Sequence, residues 1–380
     1  MRRPHTAATL TAAVLAALLA PPALAASPTI HAHRGGTVTN GKPTAAEESL
    51  RAYKNAARDG FTLEVDAKLT EDGVPVAIHD ATLDRTTNCS GEVRTFTLAE
   101  LAGCRTDVPA KSARIITIQS LLEFAKRAGS EVNLEIKNVP TDPDYDTTPA
   151  YANRVMDAVI ASGIPRRQLI VQSFIPANLD VALQRLPGVR TSLLALQSFN
   201  ELFLQAAADR HYDLISPEWP VTADYVTRAH SMGLDVAPFT LNAAADVRAA
   251  RKARVDALIT DDPLMAGRAL GLRPPRFFTA TAFIDRSRLV ATGDLLTPRG
   301  VTARQGCRGT ITMRVMIGDR PTRTVRGRLN RNCEFFFGTH RTPPRLGPPL
   351  VTVRFDGNAK LLPRLVGPFI AQLKPPVFNP

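Results

Sequence analysis

From residue 29 onward, short apolar runs alternate with stretches of helical period. Nine runs read as β-strands: Thr29–His33, Thr62–Asp66, Val74–His79, Val132–Ile136, Leu169–Ser173, Thr191–Leu196, Asp213–Ser216, Asp235–Phe239 and Ala257–Thr260. Between most of them the apolar positions recur at the helical period, as in Ala45–Ala57, Ile118–Ala128, Tyr151–Ala161 and Ala243–Lys252. Strand and helix in alternation imply a parallel sheet covered by helices. Over ~250 residues the natural closure is an α/β fold of the TIM type, a (β/α)8 barrel. Nine candidates compete for eight places, and the sequence alone leaves the surplus one open. The runs at Thr62 and Val74 have no room for a helix between them, only an extended connection containing Asp72-Gly73.

Past Pro274-Pro275 the pattern changes to simple alternation, in Phe278–Ile284, Arg288–Gly293, Gly309–Ile317, Thr322–Leu329, Cys333–Phe337 and Val351–Phe355. Gly and Pro punctuate these runs, so residues 276–380 are expected to form a small β-sandwich or β-barrel. The barrel is expected over residues 26–272. Two long polar stretches, 81–117 and 141–150, interrupt it after candidate strand ends. Both are expected to border the substrate entrance.

The first 25 residues read as a secretory leader. Arg2 and Arg3 precede an apolar run from Ala7 to Leu19, and Ala23-Leu24-Ala25 fits a cleavage site. The run is short of the ~20 apolar residues a membrane span needs, and Pro21-Pro22 break it. The expected location is therefore outside the cytoplasm. The four cysteines fit an oxidising compartment. Pairing nearest neighbours, Cys89 with Cys104 and Cys307 with Cys333, is the simplest connectivity. A zinc site is the rival, but no Cys-x-x-Cys spacing supports it.

Charge is unevenly distributed. The whole chain is +12, yet residues 274–380 alone hold 18 Lys and Arg against 5 Asp and Glu. The basic character belongs to the C-terminal region, which would attract an anionic cell-wall polymer or membrane surface. No nucleic-acid partner is expected. Solubility alone is the plainer explanation of the same charge.

The chemistry-bearing residues cluster at strand ends. His33 ends the first run and is followed by Arg34, while His79 ends the third and is followed by Asp80. In a parallel barrel the carboxyl ends of the strands face the active site, so both histidines would converge there and move protons near neutral pH. Glu64 and Asp66 point to one side of a strand by its period of two, and Glu135 lies on a different candidate strand. Three carboxylates gathered so would repel one another without a cation, and hard oxygen ligands suit Ca2+ or Mg2+. Arg34 and Lys137 are candidate phosphate partners, or else ion-pair partners of Glu64 or Glu135. His31 points to the same side as His33 and reads as a supporting residue. Glu47 could orient Arg34 or a histidine, or Glu47-Glu48 could be ordinary acids in a helix first turn. Trp219, the sole tryptophan, could cover a polyol or a cationic head group, or simply pack in the core. Gln172-Ser173-Phe174 and Phe239 to Asn242 are expected to line the pocket. A Gly-rich nucleotide loop and a nucleophile elbow are both lacking. The paired histidines beside Arg34 count against a glycosidase.

Taken in order, His33-Arg34-Gly35, Glu47-Glu48-Ser49-Leu50, Leu63-Glu64-Val65-Asp66, Thr70 to Val76, His79 to Thr87 and Leu134-Glu135-Ile136-Lys137 resemble the glycerophosphodiester phosphodiesterase family over residues 29–270. Where that family shows Glu-Asn-Thr, this chain has Glu47-Glu48-Ser49. The resemblance implies a metal-dependent hydrolase that releases glycerol 3-phosphate and an alcohol. His33 and His79 would be its catalytic pair, with Glu64, Asp66 and Glu135 its ligands for one divalent ion. Export favours Ca2+. The rival readings are an exported phospholipase acting on intact lipid or a wall polymer, and a non-catalytic surface-binding barrel.

Overall fold

The computed structural model describes residues 27–106, 113–197, 200–285, 288–318, 320–339 and 349–373. The expected leader lies outside the described residues. Among the described residues, no helix is long and apolar enough to cross a membrane.

Eight parallel strands build the first domain: β1 Thr29–Ala32, β2 Thr62–Leu69, β3 Val132–Ile136, β4 Leu169–Ser173, β5 Arg190–Ala195, β6 Leu214–Pro217, β7 Asp235–Val236 and β8 Ala257–Thr260. Ladders run from β7 through β6, β5, β4, β3, β2 and β1 to β8. Backbone bonds from Asp256 N to Val236 O and from Ile259 N to Pro238 O, both 2.9 Å, bring β8 back to the β7 segment. This is the TIM-type barrel that the alternation predicts.

The surplus candidate is Val74–His79. Only Pro75–Ala77 of it is strand, and it folds back antiparallel on the end of β2, with Ala67 opposite Ala77. Asp72-Gly73 makes the tight turn, with Gly73 at a φ of +74° that suits glycine. The hairpin lifts His79 beside the barrel mouth instead of placing it on a barrel strand.

Helices cover the barrel because their apolar faces fit it. In Leu50–Arg58 the residues Ala52, Tyr53, Ala56 and Ala57 are buried. Ser49 caps this helix, its hydroxyl accepting from Ala52 N at 3.2 Å. The helix thus starts after Glu47 and Glu48, which are not first-turn acids. Glu48 has a φ of +58° and is buried.

Residues 81–106 are not a bare loop. Leu83, Val93, Leu101 and Cys104 form a small core with Val76 and Ile78. The Cys89–Cys104 disulfide staples it, and Cys307–Cys333 joins the other pair. With every cysteine in a disulfide, no zinc site remains for them.

The C-terminal domain is a sandwich. A five-stranded sheet (Phe277–Phe278, Thr281–Asp285, Arg288–Leu296, Glu334–Gly338, Gln372–Leu373) faces a four-stranded one (Thr310–Ile317, Arg320–Arg328, Leu350–Phe355, Arg364–Ile370). Phe278, Leu289 and Phe335 of the first share a core with Met313, Val353 and Phe355 of the second. The strand Arg364–Ile370 has no counterpart among the runs read from sequence.

This domain packs on the end of the barrel where the strands begin. Leu362 joins the barrel's own core. Arg364 pairs with the buried Asp59, and Arg314 Nη1 donates to Gln168 Oε1 at 3.1 Å. A cavity of about 610 Å3 remains between the barrel floor and the sandwich, bordered by Gly60, Glu131, Arg354 and Leu365 among others. It lies at the opposite end of the strands from the histidines and carboxylates.

Candidate active site

The turn His33–Gly35 follows β1 directly. Arg34 there has a φ of +50°, an arrangement that costs energy for a residue bearing a Cβ. It turns the Arg34 amide toward Glu64, whose Oε2 accepts from it at 2.8 Å. Gly35 cannot be replaced cheaply: its φ is +91°, and a Cβ there would stand 2.6 Å from that of Ala52.

Three carboxylates meet on the neighbouring strands β2 and β3. Glu64 and Asp66 lie two apart on β2, and Asp66 stands opposite Glu135 in the parallel register. One oxygen from each of Glu64, Asp66 and Glu135 falls within 4.8 Å of the others. All three residues are buried. Asp66 Oδ2 and Glu135 Oε1 are shielded from water yet make no hydrogen bond. Burial, reinforced by the neighbouring Asp66, pushes Glu64 up to about 7. Burial likewise drives Glu135 well above the carboxylate range, against the pull of Lys137. Burial acts the same way on Asp66, but Lys137, His79 and Arg34 outweigh it and hold that acid far below its ordinary value. A hard divalent ion fits such a site, with unspent oxygen lone pairs and carboxylates that resist ionising without a partner.

Two cations flank the triad. Lys137 Nζ is 3.1 Å from Glu135 Oε1 and 3.5 Å from Asp66 Oδ1. It also lies 5.8 Å from the ring centre of Phe174. Arg34 Nε is 3.5 Å from Asp66 Oδ2. Of the ion pairs read from sequence as the plain alternative, that of Lys137 with Glu135 exists, whereas the Arg34 side chain pairs with Asp66 and Glu47 instead.

Each histidine carries its own acid. His33 Nδ1 is 2.6 Å from Asp261 Oδ1, and Asn242 donates to the other oxygen of Asp261 at 2.5 Å. Burial lowers the affinity of His33 for a proton, but the bond to Asp261 and the charge of Glu64 more than compensate, so its pKa is raised. His79 Nδ1 donates to Asp80 Oδ1 at 2.6 Å. There burial dominates, and Lys137 and Arg34 add to it against the pull of Asp66, so its pKa is lowered.

Around this centre stands a supporting layer. Glu47 accepts from Arg34 Nη1 at 3.3 Å. Gln172 Nε2 donates to Glu64 Oε1 at 2.8 Å, and Asn133 donates to Gln172 and to His31 Nδ1. Burial and Arg190 push His31 down to about 3, so it stays neutral, two side chains removed from Glu64. Glu48 Oε1 accepts from Asp66 N at 3.1 Å, and its other oxygen accepts from Tyr53. Trp219 follows β6 and packs partly on the barrel core. The residues that sequence reading left without a role are Asp261, Asp80, Arg85 and Glu48, and Asn242 was expected only to line the pocket. For Asp261 and Asn242 a weak signal existed, since both lie just beyond predicted strand ends.

The sequence signature of the glycerophosphoryl diester phosphodiesterase family matches residues 33–265. A glycerophosphodiester phosphodiesterase of Caldanaerobacter subterraneus subsp. tengcongensis is 30% identical over 237 residues, which is 61% of this chain and 93% of that protein. One from Bacillus altitudinis is 26% identical over 242 residues, covering 62% and 94%. Among solved structures, an Oleispira antarctica phosphodiesterase in complex with the product sn-glycerol-3-phosphate has the same barrel fold, with a TM-score of 0.54 at 21% identity over 64% of this chain and 96% of that one. These likenesses leave the C-terminal region unmatched. A signature spanning more than half of the chain, on a barrel with this mouth, makes the protein an enzyme of the glycerophosphoryl diester phosphodiesterase family.

Proposed function

We propose that the protein is an exported, metal-dependent hydrolase that cleaves glycerophosphodiesters to glycerol 3-phosphate and an alcohol. The observation that carries this reading is the gathering of Glu64, Asp66 and Glu135 between Arg34 and Lys137, with Asp66 feeling the charge of both His33 and His79. A phosphodiester is a monoanion, and Arg34 and Lys137 supply fixed positive charge for its non-bridging oxygens. Ca2+ or Mg2+ on the three carboxylates would polarise a phosphoryl oxygen and screen the charge that builds up.

His79, with its lowered proton affinity, removes the proton from the attacking hydroxyl: either water, which gives glycerol 3-phosphate directly, or the glycerol group's own, which gives a cyclic phosphodiester that water then opens. His33, with its raised proton affinity, donates to the departing alkoxide. Asp80 and Asp261 fix the ring orientation of each, leaving Nε2 for the reaction. Glu47 restrains Arg34, and Gln172 restrains Glu64.

Export follows from the leader pattern in residues 1–25. The basic sandwich would hold the enzyme on an anionic wall or membrane surface, by attraction that weakens as salt rises. One assay tests the central reading. Release of glycerol 3-phosphate from glycerophosphocholine is followed before and after exhaustive chelation, and after Ca2+ or Mg2+ is restored. Loss and recovery of turnover are expected, and activity indifferent to chelation would remove the metal from the scheme. Retention of the protein on anionic vesicles, measured against salt, tests the role of the sandwich.

A further inference from the structure

One arginine at the mouth is left unused by the scheme above. Arg85 lies on the stapled segment after His79, with its side chain 48% exposed. Its Nε donates to Asp80 Oδ2 at 2.5 Å and its Nη2 to Asp80 Oδ1 at 3.0 Å. Its Nη1 and Nη2 also donate to Glu47 Oε2 and Oε1, at 2.9 and 2.6 Å. One guanidinium therefore grips two carboxylates, each in the forked geometry that makes such pairs strong. Four of its five N–H groups are committed, so it has little left to offer a substrate.

Both carboxylates have a second partner inside the site. Asp80 Oδ1 accepts from His79 Nδ1, and Glu47 Oε1 accepts from Arg34 Nη1. We propose that Arg85 is a positioning residue that holds His79 and Arg34 in a fixed mutual register through Asp80 and Glu47. The proposal rests on the reading of His79 as a proton-transfer group.

The anchor of Arg85 is independent of the groups it holds. Thr87 N donates to Leu83 O at 3.1 Å, Leu83 N to Gly91 O at 2.9 Å and Asn88 N to Arg105 O at 3.1 Å. The Cys89–Cys104 bond closes the same segment. Arg85 thus projects from a braced turn, and the brace transmits its position to the two acids. Asp80 comes from the hairpin after β2, and Glu47 comes from the segment before the first helix. Among the described residues, no other side chain joins them. A lysine would keep the charge but could not make the two forks.

The test compares Arg85→Ala and Arg85→Lys with His79→Ala, each checked for folding by circular dichroism and thermal melting. Arg85→Ala is expected to lose ~10²-fold in kcat, the cost of a small misplacement, with KM changed far less. Added guanidinium is expected to restore much of the loss. Arg85→Lys, which retains charge and bulk, is expected to remain impaired. Wild-type kcat in either Arg85 variant, or a loss in folded Arg85→Ala that guanidinium leaves untouched, overturns the proposal. An inactive His79→Ala beside a normal Arg85→Ala sinks this inference alone. A fully active His79→Ala removes the proton-transfer reading beneath it.

Discussion

His33 and His79 make similar contacts, yet their proton affinities are shifted in opposite directions. Each gives Nδ1 to an aspartate, but His33 also feels Glu64, whereas His79 faces Lys137 and Arg34. Replacing either with alanine is expected to lower kcat by ~10²–10⁴-fold, the usual worth of a positioned acid or base, in a protein that melts as the wild type does. The pH profile separates the two. If His33 must be protonated, kcat/KM falls on the alkaline side as His33 loses its proton, and on the acid side as His79 gains one. Asp261→Asn removes the charge that raises His33, so the alkaline limb is expected to move to lower pH while the acid limb stays in place. An unmoved alkaline limb would take the acid role from His33. The sequence displays both histidines plainly, yet it hides Asp261. Thr260-Asp261-Asp262-Pro263 offers two adjacent aspartates, and only the fold gives them different tasks. Asp261 meets a histidine 228 positions away, whereas Asp262 caps the next helix through Met265 N.

Among the elements, the turn after β1 does most to set the site. It places Arg34 in the left-handed region and packs Gly35 against the helix Leu50–Arg58. Gly35→Ala is expected to destabilise the protein by about 1–3 kcal/mol, through strain and overpacking together. Activity should fall as well, because Arg34 moves with the turn. Thermal melts and kcat measure the two effects, and an unchanged kcat would detach the turn from catalysis. Removing the Cys89–Cys104 staple as a pair of serines is expected to cost about 3 kcal/mol in the chain-entropy model for a 15-residue loop. Urea titration checks that figure. The barrel was legible because most of its runs are short, apolar and followed by a helical period. The Val74–His79 run carries the same local signal, and its antiparallel return depends on how the chain turns at Asp72-Gly73. For the Glu47-Glu48 pair the sequence left two readings open, and the contact of Glu47 with Arg34 fits the supporting one, whereas the first-turn reading fails. Helical patterning runs through the pair, but Ser49 supplies the cap and starts the helix later.

For the whole molecule, the change of pattern after Pro274-Pro275 suggests a basic domain that folds separately and is dispensable for chemistry on small soluble substrates. The structure adds that the two domains share buried contacts. Leu362 of the sandwich is buried in the barrel's own core, and a Cβ on Gly267 would stand 2.9 Å from it. Asp59 is buried against Arg364, so a barrel cut after Leu272 is left with an acid that keeps only its neighbour Arg58 as a cation, and with an apolar slot open to water. Leu362→Ala in the full chain is expected to cost about 2–5 kcal/mol, as for other buried leucines. The truncated barrel should melt lower still. Its kcat below the melting transition should nevertheless match the full chain, because the histidines and carboxylates stand at the far end of the strands. A folded truncation with lowered kcat would show that the sandwich reaches the chemistry.

That placement also decides which way the enzyme looks. The sandwich occupies the floor of the barrel, and the mouth opens at the other end. An enzyme tethered through its basic domain to an anionic surface would therefore face outward, its catalytic rim held a barrel's height above the layer beneath. Acyl chains buried in that same layer would stay out of reach, whereas small diesters diffusing past would be intercepted. Tethering would then raise the local supply of enzyme without making the underlying lipid its prey.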